Sequence, residues 1–131
     1  MIQETVVGRM LIQKKLPPPA QLEFAITIES KPSILSQFNP ISLKRELEQR
    51  GFNIQPLSRG RHKKQPFEEG GGYKVNYRGD VIIEYHPAKE SRHGGRYYKI
   101  GNAEKGVRWF DTKGREFDGH NFTRTGQRIF K

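Results

Sequence analysis

His86 and His93 are the residues of this chain best suited to moving protons. An imidazole takes up or gives a proton near neutral pH, so two of them can act as base and acid in one reaction. His86 ends a β-rich run, Val81-Ile82-Ile83-Glu84-Tyr85-His86, just before Pro87, and His93 lies in the loop Ser91-Arg92-His93-Gly94-Gly95. A loop that closes back on its sheet brings both rings to one cleft. Lys89, Ser91, Arg92, Arg96, Tyr98 and Lys99 lie around them in the sequence. Metal-free RNA cleavage asks for such a set. A base removes the 2′-OH proton, an acid protonates the departing 5′-oxygen, and cations stabilise the charge on the phosphorus centre. The plainer alternative is a strand-end histidine bonded to a neighbour, beside a loop that only binds phosphate.

The densest basic run is Arg59-Gly60-Arg61-His62-Lys63-Lys64, and it offers Arg61, Lys63 and Lys64 as a grip on a polyanion. A solvated loop is its bland reading. Gly70-Gly71-Gly72 lacks the GxxxxGK[ST] spacing of a phosphate loop, so it marks a sharp bend or a close approach of backbone to substrate. Tyr97 and Tyr98 must point to opposite sides of a strand, and Tyr98 is the one assigned to substrate. His120-Asn121 is reminiscent of metal-dependent HNH nucleases, which need a following helix for further ligands; a turn histidine fits better. With no HExxH spacing and no cysteine, a zinc site has little support, and the sequence asks for no cofactor.

These residues sit in a chain of 131, enough for one domain. Only 33% is hydrophobic, so the core must lean on its eight Phe and five Tyr, each of which buries a large area. The absence of cysteine rules out a disulfide framework. No apolar run approaches a membrane span, and the start does not resemble a signal peptide. Net charge is +10, with +2 on residues 1–56 and +8 on 57–131. A basic half points to a polyanion, most often nucleic acid. An anionic membrane would want one long basic amphipathic helix, which the basic half lacks.

Residues 1–23, with Pro17-Pro18-Pro19, read as a linker or lead-in segment, and 24–131 as the domain proper. Phe24, Ile26 and Ile28 alternate and predict a short strand. Residues 40–50 predict a helix capped by Asn39, with Pro40 in its first turn and Gly51 at C′. Strands follow at 73–77, 81–86, 96–100 and 107–111, with a short fifth at 115–117 and a fraying tail over 118–131. The fold class is α+β: one or more N-terminal helices packed on a twisted antiparallel sheet.

The strings PFEEGGGYKVNYRGDVIIEYHP, SRHGGRYYKI and GVRWFDTKG run from 66 to 114 apart from 88–90 and 101–105. They resemble the C-terminal nuclease toxin domains of bacterial polymorphic toxins, carried by LXG-type and haemagglutinin-like delivery proteins. The resemblance implies a barnase/RelE-like fold and weight on His86, Ser91, His93 and Lys99. It also implies an acidic immunity protein as partner, delivery as part of a larger secreted toxin, and action in the target-cell cytoplasm. The expected activity is metal-independent endoribonuclease chemistry through the 2′-OH. A metal-dependent DNase using His120-Asn121 with Glu84, Glu90 and Asp111, or a non-catalytic nucleic-acid binder, are the alternatives.

Overall fold

The computed structural model describes residues 18–60, 63–77, 81–87, 94–102 and 104–131. Helix α1 spans Pro18–Ser30 and helix α2 spans Pro40–Gln49, with a 3-10 turn at Pro32–Gln37 between them. Six strands follow: β1 Tyr73–Tyr77, β2 Val81–His86, β3 Tyr97–Asn102, β4 Gly106–Phe110, β5 Glu116–Phe122 and β6 Arg128–Phe130. They form one antiparallel meander in the order 1-2-3-4-5-6, with the helices against one face. The α+β expectation holds at this level.

The predicted strand at 24–28 is helix instead. Phe24, Ala25 and Ile28 are buried while Ile26 is 48% exposed, which is the one-sided pattern of a helix and not of a strand. Three alternating residues are too short a run to separate the two periods. Thr27 and Ser30 turn their hydroxyls back onto the carbonyls of Glu23 and Ile26, so neither draws the backbone out of helix. Pro18 and Pro19 fall in the first turn, where a missing N–H costs no bond. The helix therefore begins inside the stretch assigned to the lead-in.

Helix α2 forms where its caps place it. Asn39 Oδ1 accepts from the Ser42 N–H at 2.8 Å, and Ser42 Oγ accepts from the Asn39 N–H at 2.9 Å. At the other end Gly51 takes φ +87°, its N–H donates to Glu48 O, and the Phe52 N–H donates to Leu47 O. That pair of bonds closes the helix and swings Phe52 over its last turn, against Phe24 and Tyr77. Leu43 and Leu47 are fully buried beneath it. Each is worth roughly 1.5–3 kcal/mol of burial.

Strand register divides the sheet into two faces. Tyr73, Tyr85, Tyr98 and Phe110 stand opposite one another across β1–β4, as do Val75, Ile83 and Ile100. These face the helices and make the core. On the other face run Lys74, Glu84, Lys99, Trp109 and Phe117, again in direct register. The tail does not fray. β5 continues through Phe122 and pairs with β6 across an irregularity between Phe117 and Phe122. Trp109 lies over Gly119 so closely that a Cβ there would come within 2.2 Å of the ring. Phe130 and Arg128 both pack on Phe117. Among the described residues no helix is long and apolar enough to cross a membrane.

Candidate active site

A cavity of about 310 Å³ opens on the sheet face away from the helices. Strand β2 supplies Ile82, Glu84 and His86, three alternate residues that must share a face. The neighbouring strands add Lys74 and Asn76 from β1 and Lys99 from β3. Leu57, Ser58 and Arg59 close one side. They are held there because Gln55 and Lys74 exchange backbone hydrogen bonds at 3.0 and 2.7 Å, which pins the loop to the edge of β1. The Lys74 ammonium then donates to Ser58 Oγ at 3.1 Å.

Glu84 and His86 are joined at the centre. His86 Nε2 lies 2.8 Å from Glu84 Oε1, with both side chains mostly sheltered. Burial works against charge on Glu84, but the bond to His86 and the charges of Lys99, His86 and Lys74 outweigh it. Its carboxyl is held below the usual range and is an acceptor only at neutral pH. The bond therefore fixes a hydrogen on Nε2, so that in the neutral form of the ring Nδ1 is the lone-pair nitrogen. Tyr97, directly opposite His86 in register, stacks on it at 4.6 Å with 4° between the planes. Tyr97 is in turn buried and meets Phe117 edge-on at 6.3 Å. The imidazole is thus held on one side by a carboxylate and on one face by a ring.

Of the residues expected from sequence, His86 and Lys99 line this cavity. Ser91, His93, Lys89, Arg92 and Arg61 lie outside the described residues. Lys63 and Lys64 are exposed on the same loop as Arg59 but do not line the cavity. Tyr98 is fully buried on the helix side, 5.8 Å from Tyr85, so its assignment to substrate is withdrawn in favour of a core role. Arg96 is exposed, with its guanidinium beside the Tyr85 hydroxyl, which belongs to the helix-facing row. The glycine triplet serves packing: a Cβ on Gly72 would sit 2.0 Å from the Tyr85 carbonyl oxygen.

Lys74 and Arg59 enter the site without having been chosen as its members, and Glu84, named from sequence only for the metal-dependent alternative, enters it as the partner of His86. Alternation along β2 carries the signal for Glu84, and the hairpin register 73–77 against 81–85 carries it for Lys74. The features behind the metal reading are dispersed. His120 stands in β5 with its ring edge-on to Trp109, and Asp118 accepts from the His120 and Asn121 backbone N–H groups and from the Asn121 amide. Those bonds lower the Asp118 carboxyl to about 2. Asp111 is occupied in holding its own turn to Lys113 and Arg115, and Glu90 is outside the described residues. Among the described residues no three His, Asp or Glu side chains converge as metal ligands.

No protein-family model, curated protein or solved structure matches this chain.

Proposed function

We propose that the cavity is the active site of an endoribonuclease that works through the 2′-OH and uses His86 as its base. The observation that carries this reading is the Glu84–His86 contact at 2.8 Å inside a pocket with three cations. A carboxylate that holds one ring nitrogen sets the tautomer and turns the other nitrogen toward a substrate, as in other oriented acid–base pairs. Two groups already bonded to each other cannot stand on opposite sides of a phosphorus atom. Glu84 and His86 therefore act together on the nucleophile side.

The step is a transesterification. His86 Nδ1 takes the proton from the 2′-OH, the 2′-oxygen bonds to phosphorus, and the bond from phosphorus to the 5′-oxygen breaks. The departing oxygen needs a proton from the far side, and that role is assigned to His93, which the sequence pairs with His86. Lys99, Lys74 and Arg59 stabilise the non-bridging oxygens as charge builds. The products are a 2′,3′-cyclic phosphate and a free 5′-OH. Both proton transfers are supplied by side chains, so the scheme does not call on a metal.

The wider setting follows from the resemblance and is proposed with it. The domain is the nuclease tip of a larger secreted toxin with a barnase/RelE-like sheet, acting in the cytoplasm of a target cell. An acidic immunity protein would cover the cavity and cancel its cations. The test is incubation with total RNA and with plasmid DNA, each with and without EDTA, beside His86→Ala. Expected is RNA cleavage that persists in EDTA, leaves cyclic phosphate ends and disappears in the variant. Cleavage of DNA that stops in EDTA would overturn the reading.

A further inference from the structure

The cavity is chemically graded along β2. His86 and Glu84 form one end with Lys99 and Lys74 beside them, and Ile82 with Asn76 forms the other. Ile82 lies two residues, about 7 Å, from Glu84 along the strand. Its lateral neighbours in register are Asn76 on β1 and Gly101 on β3, and Gly101 is followed by Val107 on β4. Gly101 adds no side chain to that row; a Cβ there would press on Val107 at 3.3 Å. Val107 remains 46% exposed. The row is thus a low apolar shelf bordered by an amide, one step from a cluster of cations.

An apolar shelf suits a flat ring, and an amide presents donors and an acceptor to the ring's edge. Cations one step away suit the phosphate attached to the same unit. We propose that Ile82, Gly101 and Val107 form the floor of a nucleobase subsite and that Asn76 reads the edge of the base. The ligand is an unstacked, single-stranded nucleotide, since a base inside a duplex cannot lie flat on this floor. The inference deepens the ribonuclease reading and rests on it for the identity of the nucleotide as RNA.

The test is binding of the four nucleoside 3′-monophosphates and of inorganic phosphate by titration calorimetry, with wild type, Asn76→Ala and Ile82→Thr. At least one nucleotide is expected to bind about tenfold more tightly than phosphate. Asn76→Ala is expected to remove most of that margin and to leave phosphate binding in place, with a cooperative thermal melt showing that the fold is kept. Ile82→Thr should narrow the margin for all four. Nucleotides that bind no tighter than phosphate, or a margin untouched by Asn76→Ala, would overturn the subsite. RNA cleavage is scored on the same samples. Cleavage with no nucleotide margin retires the subsite alone, whereas a margin with no cleavage keeps the subsite and retires the catalytic reading.

Discussion

Glu84 and His86 owe their meeting to the period of two in a strand, and their strength to what stands beside them. Lys74 and Lys99 flank Glu84 in register on either side, and Tyr97 lies flat on the imidazole. Replacing Glu84 with Gln keeps the shape but removes the charge that fixes the ring's tautomer. The expected loss in kcat is on the order of 10²-fold, with KM for RNA changed much less. A variant with wild-type kcat would remove Glu84 from the mechanism. Stability carries the same signature. Because the folded-state value of Glu84 is lowered, its contribution is present above the ordinary carboxylate range and fades as pH falls through the lowered value. The Tm difference between wild type and Glu84→Gln should be widest near neutral pH and close in strong acid, as thermal melts across pH would show. At this scale the sequence made His86 and Lys99 legible, because a strand-end histidine and a neighbouring cation are visible in one dimension. Tyr98 misled because both tyrosines of the pair are buried, one on each face. Alternation says that they diverge, and only the packing says which side is closed.

The elements show where local chemistry decides and where it does not. Helix α2 carries its own instructions in Asn39, Pro40, Ser42 and Gly51, and it stands where they place it. Asn39→Ala removes one arm of the reciprocal cap and should cost about 1 kcal/mol, lowering Tm by several degrees without loss of RNA cleavage. An unchanged melting curve would mean that tertiary packing alone holds the helix. Helix α1 gives no such signal. Its β-branched residues favour a strand locally, and burial of Phe24, Ala25 and Ile28 against the sheet selects the helix. The C-terminal hairpin was likewise hidden. Its sequence is polar and basic, but its hold comes from Phe117 beneath Arg128 and Phe130, and from Gly119 beneath Trp109. Those contacts cross strands and leave no periodic trace.

On the scale of the molecule, one sheet has two uses. The helix-facing side is a tyrosine-rich core, and the other carries the cavity, whose described lining residues include three cations and one acidic side chain, Glu84, already bonded to His86. Most of the net charge lies in the second half of the sequence, and the cavity brings Arg59 of the edge loop together with Lys74 and Lys99 of the sheet, the arrangement that the proposed polyanionic substrate would need. If these three contact phosphate, log affinity for single-stranded RNA should fall with log salt at a slope of at least about −2, near 0.7 for each cation. Lys99→Ala should reduce that slope by about 0.7. A slope that Lys99→Ala leaves unchanged would place RNA elsewhere. The central claim is that the attacking group is the substrate's own 2′-OH, activated by His86. It is tested most directly with an RNA oligonucleotide in which the single nucleotide 5′ to the cleaved bond is made 2′-deoxy. The account predicts that this bond becomes resistant in the presence of EDTA while neighbouring bonds remain cleavable. Cleavage of the deoxy-substituted bond at the ordinary rate would contradict it.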